Sequence, residues 1–197
     1  MTSSVTKATR LIVGVSGAQS PGLGLAVLRA LQTVPSVESH LVVARATLDA
    51  SQGLTEEDFA KLADVTYSPG DLGAAISSGS FRTAGMVVAP CSMRTVAAIA
   101  TGNTADLVTR AADVCLKERR RLVLVPDESP WDLAGIRNME IITLAGGMIL
   151  PPVLAFYHQP KTTEDLLRHT TGKILDQFGL EHDLFARWTG GDDDAAQ

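Results

Sequence analysis

Five short apolar runs punctuate this chain. They are RLIVGV at 10–15, HLVVA at 40–44, MVVAP at 86–90, LVLV at 122–125 and MILP at 148–151. Each is near-continuously apolar rather than alternating, which is the pattern of a strand buried on both faces. Segments of helical period separate them. LGLAVLRAL from Leu23 puts Leu25, Leu28 and Leu31 on one face, and TEEDFAKLADV offers Thr55 as an N-cap with acids in its first turn. CSMRTVAAIATG starts near Ser92 and ends at Gly102, and TADLVTRAADVCLKERR follows. Further helices are expected over 132–147, ending at Gly146 and Gly147, and over 161–179. Strands alternating with helices imply an α/β protein: a flavodoxin- or Rossmann-like three-layer sandwich with a mostly parallel sheet.

The 197 residues suffice for one core, so a single domain is expected over 1–190, followed by an acidic, disordered tail at 191–197. A net charge of −5 without a basic stripe argues against nucleic acid as a partner. No apolar run reaches the roughly 18 residues of a membrane span. The start, MTSSVTKATR, lacks the apolar core of a signal peptide, so a cytoplasmic location is expected. Cys91 and Cys115 lie 24 positions apart and are read as reduced, half-buried thiols. His40, His158, His169 and His182 form no HExxH or close pair, so no metal site is expected, and no GxSxG elbow is present.

Ligands of such a sheet bind at the carboxyl ends of the strands. Two strand ends carry anion-binding chemistry. SGAQSPGLG opens a helix after the first strand, although Gly17, Gly22 and Gly24 depart from GxGxxG spacing. PCSMRT at 90–95 offers Ser92, Arg94 and Thr95, which are equally read as a helix cap and solvated side chains. Together they suit a nucleotide- or flavin-sized ligand. A third strand end, in RLVLVPDESP at 121–130, instead aims two acids, Asp127 and Glu128, at the same crevice.

The run SGSFRTAGMVVAPCSMRTVAAIATGNTADLVTRAADVCLKERRRLVLVP, residues 78–126, resembles the UbiX-like flavin prenyltransferase family. VSGA at 15–18, PPVLAFYHQPKT at 151–162 and LFARW at 184–188 resemble the same family in the same order, so the likeness covers about 10–190. It implies transfer of a dimethylallyl group from dimethylallyl monophosphate to reduced FMN, without a metal. It also implies a trimer-based dodecamer and a downstream partner decarboxylase. By resemblance, Arg110 and Lys117 are phosphate-side cations and Glu128 is the acid/base. Tyr157 and Lys173 are allylic-phosphate ligands from a neighbouring subunit, and Trp188 lies by the allyl pocket. Gly17, Ala18, Ser92, Met93, Arg94 and Thr95 match flavin-binding positions.

The departures cluster on the flavin side. Where the family reads P-R-E-T-P, with an arginine that contacts FMN, this chain has Pro126-Asp127-Glu128-Ser129-Pro130. The reversal faces an anionic ligand, and unit charges about 4 Å apart interact by roughly 4 kcal/mol at a dielectric near 20. Ala44 replaces a serine that binds the FMN phosphate, Gln19 replaces a small serine, and a glutamate of the family falls near Ser51. Asp127 therefore marks either a rebuilt flavin pocket or one that no longer takes FMN. Three readings stay open: a flavin prenyltransferase, a flavin-independent lyase or cyclase acting on an allylic phosphate or diphosphate, and a non-catalytic paralogue.

Overall fold

The computed structural model describes residues 9–50 and 53–188. The expected acidic tail at 191–197 lies outside them. Six strands form one sheet: β1 Thr9–Val15, β2 Val37–Val43, β3 Val65–Tyr67, β4 Gly85–Cys91, β5 Arg121–Pro126 and β6 Met148–Ile149. Every pairing is parallel, and the order is β3-β2-β1-β4-β5-β6. That is the Rossmann order, with its reversal point between β1 and β4. The helices are α1 Pro21–Gln32, α2 Arg45–Ala50, α3 Glu56–Ala60, α4 Met93–Ala100, α5 Leu107–Lys117, α6 Leu133–Leu144 and α7 Thr163–Gln177.

The pleat sorts the core into two layers. Leu11, Val13 and Val15 of β1, with Val87 and Val123, pack toward Leu28 of α1 and Ile174 of α7. Ile12, Met86, Val88, Leu122 and Leu124 pack toward Val108 and Ala112 of α5 and Ile142 of α6. The strands carry apolar residues on both faces because both faces are covered.

The expected three-layer sandwich is present, its sheet wholly parallel. The structure corrects several finer expectations. The helix expected through Val65 ends at Ala60, because Val65–Tyr67 extends along β2 as a three-residue edge strand, with His40 opposite Val65. The last strand is two residues long, and α6 stops at Leu144, before the paired glycines. Cys91 and Cys115 are unpaired but fully buried rather than half-buried. Burial pushes the Cys115 thiol up to about 12. Among the described residues no cluster of His, Cys, Asp or Glu could hold a metal, and no helix is long and apolar enough to cross a membrane.

Gly85, which opens β4, has φ +142°, and a Cβ there would collide with the Arg121 carbonyl oxygen. Gly85→Ala is expected to cost at least about 2 kcal/mol of unfolding free energy in urea titrations, combining strained backbone with a backbone clash. Gly22→Ala, in open space within α1, should match or exceed the parent protein.

Candidate active site

The site is assembled where β1, β4 and β5 end. Register fixes the arrangement: Cys91 lies opposite Pro126, so Ser92 and Asp127 leave the sheet side by side, and Asp127 N–H donates to the Cys91 carbonyl at 3.3 Å. Across the reversal point, the Ser16 and Gly17 N–H groups each donate to the Pro90 carbonyl at 3.0 Å, and Ser92 N–H donates to Ser16 Oγ at 3.3 Å. Three strand ends are thereby laced together by backbone and hydroxyl groups.

The two adjacent acids then diverge. Asp127 turns to the β1–α1 loop, where its Oδ2 accepts from Gln19 N–H at 3.1 Å, Ser20 N–H at 3.3 Å and Ser20 Oγ at 3.4 Å. Gly17 lies directly beneath it, and a Cβ there would displace the carboxylate. Glu128 turns to α4, where its Oε1 accepts from Met93 N–H at 2.8 Å. Ser92 caps the same helix, its Oγ accepting from Thr95 N–H at 3.2 Å and meeting Thr95 Oγ1 at 3.1 Å. Glu128 therefore satisfies the first N–H of α4, and Asp127 ties down the two residues that lead into α1. Two of the N–H groups that the SGAQSPGLG loop was expected to present to an anion, those of Gln19 and Ser20, go to Asp127.

Asp127 is not comfortable there. Burial raises its pKa above the ordinary carboxylate value, its hydrogen bonds from Ser20 and Gln19 oppose that rise, and Glu128 adds to it. Its Oδ1 is buried without a partner.

Beside this clamp a cavity of about 460 Å³ opens between the ends of β1, β2 and β4. Ser16, Ser92, Arg94 and Thr95 line one wall, and Ala44, Arg45 and Asp49 another. Ser16, Arg45 and Asp49 were not expected from the sequence. Arg45 follows β2 directly, so the same strand-end rule that flagged Asp127 could have found it. Asp49 lines the cavity two positions before the expected acid near Ser51, which itself lies outside the described residues.

On α5, Arg110 and Lys117 converge as their seven-residue spacing implies, but onto a carboxylate. Arg110 Nη1 lies 3.5 Å and Lys117 Nζ 2.6 Å from Asp113 Oδ2, and Arg110 Nε also donates to the Ser77 carbonyl at 3.2 Å. Tyr157 and Lys173 belong to a third region, the segment after β6 and α7. Tyr157 and Trp188 are 65% and 76% exposed within one chain. No hydrogen bond or ion pair among the described residues joins Tyr157 or Lys173 to Glu128, Arg110 or Lys117.

Residues 2–153 match the family described as Flavoprotein. A probable UbiX-like flavin prenyltransferase of Sedimentibacter hydroxybenzoicus is 50% identical over 188 residues, spanning 94% of this chain and 100% of that protein. A dodecameric FMN-dependent UbiX-like decarboxylase from Escherichia coli O157:H7 superposes with a TM-score of 0.88 at 47% identity, covering 92% of this chain and 100% of that one. A UbiX protein in complex with FMN and dimethylallyl pyrophosphate superposes at 0.89 with 44% identity, covering 94% and 100%.

The raised pKa of Asp127 has a stability consequence. An acid whose folded pKa exceeds its unfolded value favours the fold below the unfolded pKa, and that contribution is lost as pH rises through the folded pKa. Asp127→Asn keeps the acceptor oxygen and removes the titration. Its stability relative to the parent should therefore improve as pH rises upward from the ordinary aspartate range, in denaturant melts run across that window. A constant difference would show that Asp127 ionises without strain.

Proposed function

From the premise that this chain belongs to the UbiX-like flavin prenyltransferase family, we propose that it joins the dimethylallyl group of dimethylallyl monophosphate to reduced FMN on the site described above. The enzyme is a flavin prenyltransferase and its cofactor is FMN. The observation that carries the residue assignment is Glu128, fixed at the start of α4 one residue from Ser92 and Arg94 of the cavity wall.

The residues present fit FMN at one end of the cavity and constrain it at the other. Arg45 and Arg94, with the Ser92 and Thr95 hydroxyls, supply cations and donors for a phosphate, and Ala44, Ala46, Pro69 and Ala105 supply apolar wall. The α1 loop carries Asp127 and is not offered to an anion. Gly17 and Ala18 therefore shape the pocket through Asp127 rather than by cradling phosphate. Reduced FMN, when bound, supplies the electron-rich ring that receives the allyl group. Met93, through its N–H, holds Glu128 in place.

Arg110, Lys117, Tyr157 and Lys173 hold the allylic phosphate, on which negative charge builds as the C–O bond breaks. Asp113 gathers the Arg110 and Lys117 heads to one point, so they act as a unit. Glu128 has Oε1 tied to Met93 N–H, and Oε2 is the oxygen that holds or gives a proton. Trp188 shields the allyl group from water.

The protein is a homo-oligomer, and we assign it a trimer-based dodecamer. Leu133, Ile136 and Leu144 stand exposed on α6, as do Val153, Leu154 and Phe156 beyond β6. Covering these by further copies brings Tyr157, Lys173 and Trp188 of one subunit to Glu128, Arg110 and Lys117 of another. The proposal extends to a cytoplasmic setting, supported by the unpaired buried cysteines, and to a downstream decarboxylase that uses the prenylated flavin.

Two experiments test this. With reduced FMN and dimethylallyl monophosphate, Glu128→Gln should slow product formation about 10²-fold while FMN still binds; unchanged turnover removes Glu128 from the chemistry. Leu144→Asp, at a residue 81% exposed in the single chain, should shift sedimentation toward smaller species and lower activity with them, while the far-ultraviolet spectrum is kept. An intact assembly would exclude this face of α6 from the interface.

A further inference from the structure

The C-terminal half of the site contains a histidine arrangement that its phosphate chemistry does not yet use. His169 of α7 is buried, 8% exposed, and its Nε2 lies 2.9 Å from Tyr157 Oη. Its ring stacks on His158, with centroids 4.8 Å apart and planes at 12°, and the Phe185 ring packs on it at 4.8 Å. Both ring nitrogens of His158 are buried without a hydrogen-bond partner, so His158 acts as a wall rather than as a relay. Lys173 follows His169 by four positions, one turn further along the same helix.

This packing selects the neutral imidazole. Burial depresses the His169 pKa first, and the neighbouring His158 and Lys173 add to that, against a smaller opposing pull from Asp176. A neutral imidazole has one N–H and one bare nitrogen, and the Tyr157 phenol has a single hydrogen. If Nε2 were bare, the phenol would spend its hydrogen on His169 and turn only lone pairs outward. A tyrosine meeting a phosphate must do the reverse. With hydrogen on Nε2, His169 donates to Tyr157 Oη and leaves the phenolic O–H free to donate.

We propose that His169 is a positioning residue for the allylic phosphate: held as the Nε2–H tautomer between His158 and Phe185, it donates to Tyr157 Oη and so directs the Tyr157 hydrogen to the phosphate held by Lys173. This rests on the reading of Tyr157 and Lys173 as phosphate ligands. It adds to that reading a residue that never touches the substrate yet sets what the tyrosine offers it.

The test uses the assembled protein without flavin, with two readouts that do not depend on turnover. Nitrogen-15 spectra of the imidazoles, assigned by comparison with His169→Phe, should show His169 protonated at Nε2; protonation at Nδ1 alone overturns the proposal. Dimethylallyl monophosphate is then titrated and followed by phosphorus-31 NMR. His169→Phe keeps the ring that stacks on His158 and should weaken binding about tenfold, while His169→Gln, which returns an N–H near the Nε2 position, should restore most of it. Tyr157→Phe separates the two levels. If Tyr157→Phe weakens binding and His169→Phe does not, the positioning role fails while the phosphate reading stands. If Tyr157→Phe changes nothing, the phosphate reading of Tyr157 fails and the positioning role falls with it.

Discussion

Two carboxylates on consecutive residues organise the crevice of this protein. Pro126 ends β5 opposite Cys91, and the next two side chains go opposite ways, Asp127 to the loop before α1 and Glu128 to the first N–H of α4. The two helices flank the reversal point of the sheet, where a ligand must sit. By serving both helix starts, the dipeptide fixes their spacing, and with it the shape of the cavity. The α1 loop holds Asp127 and the first N–H of α4 holds Glu128, and the cavity beside them is lined by Arg45, Arg94 and the hydroxyls of Ser92 and Thr95. Hydrogen bonds to a charged acceptor stabilise by about 1.5–3 kcal/mol each, yet Asp127 is left with a raised pKa because desolvation outweighs its bonds from Gln19, Ser20 N–H and Ser20 Oγ.

The parts of the fold readable in the sequence are those for which burial dominates. β1, β4 and β5 lie mid-sheet with helices on both faces, so their apolar runs are continuous and their ends fall within a residue or two of the expected limits. β3 carries no such signal. It has three residues at the sheet edge, none fully buried, and its identity comes from pairing with β2. The order of the strands is likewise invisible in local pattern, since it depends on which helix crosses which face.

The sequence shows which residue types stand at the strand ends, but not where their side chains turn. Asp127 and Glu128 both read as charges at a strand end, and so they are, but the sequence carries no hint that one carboxylate folds back on Gly17–Ser20. Register and a missing Cβ at Gly17 decide that. Arg110 and Lys117 share a face by helical spacing, as expected, yet Asp113 between them is what determines where their heads meet. The spacing of His169 argues against a metal ligand and says nothing of its partner. Its partner, Tyr157, is twelve positions away in sequence and reaches it only because the chain beyond β6 doubles back along α7.

A single chain completes its core but not its chemistry. Both apolar layers are filled by the strands and helices of one subunit, with Val13, Val87, Val88 and Leu124 wholly buried. Assembly is therefore not needed to close the fold. Loss of an allylic phosphate, by contrast, requires water to be kept from the carbon that becomes electron-poor, and within one chain Tyr157 and Trp188 stand mostly in solvent. The anionic leaving group also needs several cations at once, and those proposed for it are divided between α5 and α7. The single chain also exposes Leu144, Val153 and Phe156. In the assembly we propose, contact between subunits would remove the apolar exposure, the wetness and the shortage of charge in the same event, tying catalytic competence to the oligomer rather than to the stability of its parts.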